Sequence, residues 1–216
     1  MTAQRRSHVA KADAAAGAAP AAKIEQPFVE AAVWNKNLVR AVVLLAAGAV
    51  AAKGAVFLPA NANAMLHMCA FGTWFGTMAY TTFAVGILLF KNLPRQTFGK
   101  VQSKLFPVYF GSTALCIAAC AGSMVAAGTP LGATAMRPLL VAMGCTLVNL
   151  LYLEPKTTVC MFKRYELENA GQTDGTEYKA LRKQFGPLHG MSSLFNLGAF
   201  AGCVAHAWTL AAKLAL

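Results

Sequence analysis

Lys91 to Phe110 reads KNLPRQTFGKVQSKLFPVYF, and it lies between two long apolar runs. It carries Lys91, Arg95, Lys100 and Lys104 and no acid. Pro94 breaks the helix that enters it. Beyond that proline, Phe98, Val101 and Leu105 fall on one side of a helical wheel, with Lys100 and Lys104 on another. This spacing predicts a short interfacial helix leading into a second span, with Pro107 at the start of that span. The cations suit anionic lipid headgroups, at about 1 kcal/mol each near the surface. A cationic elbow between two apolar rods points to an all-α, polytopic transmembrane helical bundle.

The composition agrees. Of 216 residues, 57% are apolar and 12% charged, roughly half the charge of an average soluble domain. No Asp or Glu occurs between Ala31 and Leu153, a stretch that a water-facing surface could hardly sustain. The formal charge of +11 would suggest nucleic acid in a soluble protein. Here the cations collect in connections and the N-terminus, so the partners expected are the lipid bilayer with its anionic headgroups and a membrane-protein complex, and no nucleic acid. Cys69, Cys116, Cys120, Cys145, Cys160 and Cys203 form no CxxC pair, and five lie in apolar runs. They read as small apolar helix residues, with no disulfide framework or zinc site expected.

Four core spans follow outward from the elbow. Ala64–Phe90 has no formal charge and exceeds the roughly 20 residues needed to cross the hydrocarbon. Within it, Gly72 and Gly76 have the GxxxG spacing, which reads as intrachain helix packing ahead of dimerisation. The second span uses Leu105 to Ala127, and Gly128 to Gly132 forms a turn. Arg137 and Pro138 open the third span, which closes at Glu154-Pro155-Lys156. Residues 154–187 form the longest hydrophilic loop. In it Val159, Phe162 and Tyr165 suggest a helix continuing past the membrane. Asp174 and Glu177 resemble a capping box for a short second helix, which Gly186 ends. Pro187 then suits the first turn of a last span from Leu188.

Three divisions result. Residues 1–37 are a basic, Ala-rich segment expected to be disordered, with Arg5, Arg6 and Lys11 in the manner of an organelle-targeting sequence. Residues 38–63 are a weaker apolar segment interrupted by Lys53, read as an extra transmembrane helix, an interfacial helix or the core of a cleaved signal. Residues 64–216 are the four-span domain. The elbow and the 154–187 loop then fall on one face, which the positive-inside rule assigns to cytoplasm, stroma or matrix. If residues 38–63 cross as well, the basic N-terminus joins that face. The protein is thus expected in a membrane, organellar (chloroplast or mitochondrial), endomembrane or plasma.

The run LLFKNLPRQTFGKVQSKLFPVYF resembles the hallmark of the transmembrane protein 205-like family, a domain of unknown function. Leu153 to Thr158, Tyr178 to Arg182 and His189 to Leu197 are similar to further pieces of that pattern, as is His67. The resemblance covers about residues 64–200. It implies four transmembrane helices and no established enzyme activity, and it supplies no catalytic residue, cofactor or metal. The positions carrying it, together with the candidate structural polar residues, are His67, Pro94, Arg95, Lys104, Pro107, Glu154, Pro155, His189, Ser192, Ser193 and Asn196.

Polar groups inside a span are expensive unless paired. His67 and His206 lie toward the outer ends of the first and last spans, where two facing histidines could hold a haem or simply hydrogen-bond. His189, Ser192 and Ser193 share a helical face, and Glu154 lies on the same side of the membrane. A Ser–His–Glu hydrolase is conceivable there, but a structural network linking Glu154 to His189 or Arg182 is the favoured reading. Asn149 and Asn196 suit interhelical hydrogen bonds or a polar pathway. The leading functional expectation is a non-enzymatic structural or accessory membrane component. A small-molecule transporter or channel is the alternative, and a haem-binding or hydrolytic enzyme comes last.

Overall fold

The computed structural model describes residues 36–54 and 57–212. The targeting and disorder readings for the first 35 residues, and the side chain of Lys53, lie outside the described residues. The described chain is helical, in five pieces: α1 Asn37–Gly54, α2 Ala60–Asn92, α3 Arg95–Ala126, α4 Thr134–Asn169 and α5 Thr176–Ala211. The last four are each long and apolar enough to cross a membrane. At 1.5 Å per residue, the 36 residues of α5 reach about 54 Å, so its ends project well beyond a hydrocarbon core of roughly 30 Å.

The core lies among α2, α3, α4 and α5. Trp74, Met78, Ile117, Met136, Leu139 and Leu150 are its largest buried apolar side chains. The outward faces are also apolar, with Met68, Phe83, Leu88, Leu140, Leu194 and Trp208 exposed. This pattern suits a bundle whose solvent is lipid, where packing and polar contacts between helices replace the hydrophobic drive. Small residues set the closest approach. A Cβ on Gly202 of α5 would stand 2.7 Å from the Pro138 carbonyl and 3.0 Å from the Ala142 Cβ, so α4 and α5 meet nearly backbone to backbone.

Helix boundaries depart from the sequence expectations in several places. Pro107 lies inside α3 and Pro187 inside α5, so the elbow helix and second span are one rod, as are the short loop helix and last span. Each proline removes one backbone bond, and the long flanking turns hold the helix through it. Residues 60–64, expected in a linker, form the first turn of α2. No side chain caps the start of α5, so the Asp174–Glu177 capping box does not form and Gly175 takes the N-cap position. Beyond Glu154-Pro155, α4 continues to Asn169, as the spacing of Val159, Phe162 and Tyr165 suggests.

Pro155 is accommodated by a widened turn. Residues Asn149–Leu153 adopt π-helical geometry, in which the Glu154 N–H reaches back to the Asn149 carbonyl. The Leu150 carbonyl would next look to residue 155, and a proline has no N–H to give. Arg40 of α1 takes that place, donating from Nη1 to the Leu150 oxygen at 2.8 Å. The N-terminal helix is thereby fastened at its first turn, and it then runs alongside α3, where Leu44 packs against the core.

Candidate functional site

Two polar regions lie between the helices, one near each end of the bundle. The inner region sits toward the basic connections. A cavity of about 90 Å³ there is bordered by Ser103, Glu154, Thr158, His189, Ser192 and Asn196 among others. Helical spacing brings His189, Ser192 and Asn196 to one face of α5, which turns toward α3 and α4.

The partners of these groups differ from the network expected. Glu154 pairs with Arg40 at 3.0 Å, not with His189 or Arg182, and both side chains are 5% exposed. Its second oxygen accepts from Thr158 Oγ1 at 3.1 Å. Asn149 Nδ2 donates to the Ser192 carbonyl at 3.1 Å, and Ser192 Oγ donates to Asn149 Oδ1 at 2.7 Å. Ser193 Oγ donates to the His189 carbonyl, one turn back. The His189 ring stacks on Phe185 with an interplanar angle of 5°. Both serine hydroxyls are thus committed elsewhere than to the imidazole, and the carboxylate is held by a cation. The nucleophile–base–orienter contacts of a hydrolase are not assembled from these three residues.

Asn196 accepts from the Tyr109 hydroxyl at 2.8 Å and donates to Thr82 at 3.3 Å. Thr82 belongs to a second π-helical turn, Thr81–Val85. Both widened turns therefore face α5 through a hydrogen bond from a side chain, at Asn149 and at Thr82.

The family-pattern residues at the elbow form a clamp. Pro94 is the N-cap of α3. Arg95 forms an ion pair with Glu168 at the far end of α4, and its guanidinium lies 5.2 Å from the centre of the Tyr165 ring. Tyr178 at the start of α5 donates to the same carboxylate at 2.8 Å. Three helix ends thus meet at one acidic side chain, so the elbow and the 154–187 segment share one end of the bundle. Lys104 is exposed, and Pro107 is partly buried within α3.

The outer region joins His67 of α2, Cys120 and Ser123 of α3, and His206 of α5. The two imidazoles approach through their Nε2 atoms at 3.0 Å. His67 Nδ1 lies 2.6 Å from Ser123 Oγ, and Ser123 Oγ donates to the Cys120 carbonyl at 2.8 Å. Asn63 Nδ2 donates to the Ser123 carbonyl at 2.9 Å. His206 is fully buried against Phe71 and Trp74. A groove of about 480 Å³, bordered by Asn63, His67 and Ser123, opens beside the cluster. Two axial imidazoles on opposite faces of a haem iron need a separation of roughly 4 Å, so the arrangement leaves no slot for a haem between them. The donor atoms of His67, Cys120 and His206 lie within 4.8 Å of one another, which makes this the described group able to gather round a single ion.

Sequence alone assigns no role to Arg40, Ser123 or Tyr109, and it reads Cys120 as a small apolar helix residue. Arg40 alone left a trace, as a cation inside an apolar segment of a chain whose spans offer only Glu154 as a counter-charge. Gly72 and Gly76 depart from expectation in the opposite sense. Both are exposed, and among the described residues nothing lies within 4 Å of a Cβ built on either. Their GxxxG face is not used for packing within the described bundle.

Residues 69–166 match the family described as Domain of unknown function (DUF4149). The chain is also similar to transmembrane protein 205 of Danio rerio, at 38% identity over 52 residues. That match takes in 24% of this chain and 28% of the relative's length. No solved structure matches.

Proposed function

We propose, from the premise that this chain is a multi-pass membrane protein of the transmembrane protein 205-like type, that it acts as a non-enzymatic accessory component of a membrane-protein assembly. The observation that carries the reading is the α2 face. Cys69, Gly72, Thr73 and Gly76 are exposed on it, at spacings that place them along one side of a helix. A glycine pair four residues apart lets a neighbouring backbone come close, and in lipid such packing is a main source of helix association. The inner polar groups favour the same reading, since their hydrogen bonds and one ion pair tie α1 to α4, α4 to α5, and α5 to α2 and α3.

Cys69 is an exposed thiol beside the glycine pair, and it serves as the probe. Native membranes treated with a short thiol-directed crosslinker should give a discrete adduct through Cys69, and Gly72→Leu with Gly76→Leu should abolish it. A mild-detergent extract in which the chain runs as a lone polypeptide, with no adduct from Cys69, would rule the reading out.

A further inference from the structure

The geometry points to a buried monovalent-copper site at the outer end of the bundle, with His67, Cys120 and His206 as ligands and Ser123 and Thr209 as their supports. It is a separate assignment from the accessory role and does not rest on it.

The ligand set comes first. Two imidazoles and a thiol converge from three helices, with donor atoms within 4.8 Å of each other. Nitrogens bound to one ion at about 2.0–2.1 Å stand roughly 3.3–3.6 Å apart in tetrahedral or trigonal geometry. The 3.0 Å between the two Nε2 atoms is a few tenths short of that, so a small parting of the rings admits the ion.

The surroundings fix which nitrogens are offered. A metal-bound imidazole normally donates its other N–H to a supporting acceptor. Ser123 spends its single proton on the Cys120 carbonyl, so its lone pair accepts from His67 Nδ1–H at 2.6 Å. That assigns the tautomer and turns the His67 Nε2 lone pair toward His206. Thr209 repeats the device. Its hydroxyl donates to the His206 carbonyl at 2.7 Å, and its oxygen lies 3.5 Å from His206 Nδ1. Without an ion, His206 Nε2–H donates to His67 Nε2 across the 3.0 Å gap; binding an ion shifts that proton to His206 Nδ1, beside the Thr209 oxygen. Two hydroxyls, each committed to a backbone carbonyl, are thus placed to support the two rings once the ion is bound.

Charge selects the ion. Cys120 and His206 are 0% exposed and Trp74 beside them is equally buried, so a net charge there is costly. Binding Cu⁺ releases the Cys120 thiol proton to water, and the resulting thiolate and Cu⁺ sum to zero. Zn²⁺ with the same ligands would leave one positive charge uncompensated. Thiolate and imidazole are also donors that suit Cu(I), and three ligands satisfy it. The groove beside His67 and Ser123 gives the ion and the departing proton a path.

The full chain, purified in detergent, would be titrated anaerobically with Cu(I) against a chromophoric Cu(I) chelator. One equivalent should be retained, and X-ray absorption should show one sulfur and two nitrogen neighbours. Cys120→Ser and His67→Gln should each weaken retention by more than tenfold, and Ser123→Ala by roughly tenfold through loss of ring support. The inference fails if wild-type protein holds no stoichiometric Cu(I), or if the absorption spectrum lacks a sulfur neighbour. It fails equally if Zn²⁺ displaces the copper at matched concentration. The spectrum is taken on wild type, so the test stands even if Cys120→Ser does not fold.

Discussion

Arg40 and Glu154, 114 positions apart, meet as a buried ion pair at 3.0 Å. The same guanidinium nitrogen closes the Leu150 carbonyl that Pro155 cannot serve. One side chain thus answers both a charge and a backbone vacancy. Removing one member of such a pair leaves the other uncompensated, at a cost of about 3–5 kcal/mol. Arg40→Leu should therefore lower the detergent-unfolding midpoint sharply. Arg40→Leu combined with Glu154→Leu should recover much of the loss, and a double-mutant cycle checks it.

The Asn149–Ser192 exchange predicts a smaller effect. Ser192→Ala removes the hydroxyl bond to Asn149 Oδ1 and leaves the bond to the Ser192 carbonyl. Interhelical bonds in membranes contribute about 0.6–2 kcal/mol, so this variant should fall at the low end and Asn149→Leu at the high end. Unfolding of the two variants in mixed micelles measures the difference.

Gly202 should resist even one added carbon. A Cβ there meets the Pro138 carbonyl at 2.7 Å, and a carbonyl in the first turn of α4 can move only with its helix. Gly202→Ala should cost about 1–3 kcal/mol by overpacking, whereas Gly144→Ala, which meets nothing within 4 Å, should be close to neutral. Thermal unfolding of paired samples in detergent distinguishes them.

Topology gives a fourth test. Arg95, Glu168 and Tyr178 meet at one end of the bundle, so Lys100 and Lys183 belong to the same membrane face. An impermeant amine reagent applied to sealed, oriented vesicles should modify both or neither. Modification of one alone would contradict the arrangement of α3, α4 and α5.

Much of this architecture was legible from residue order, for a physical reason. Hydrocarbon forbids stray charge, so uncharged runs such as Ala64–Phe90 mark spans without knowledge of any contact. What proline does inside a rod was harder to read. Pro107 and Pro187 resemble helix starts, and only the packing of neighbouring helices shows the rods passing through them. The inner site was half legible. Glu154, Ser192 and Asn196 stood out because polar groups in apolar runs are conspicuous. Their partners did not, since a hydrogen bond across the bundle leaves no local spacing to detect. Cys120 was hidden differently. Among the five cysteines in apolar runs nothing in the order of residues distinguishes the one beside two histidines.

The proline at 155 also constrains how short a mature form can become. The guanidinium that seals the fourth helix stands only four residues into the described part of the chain. One cut past position 40 would leave a bare anion and an open peptide oxygen facing oil.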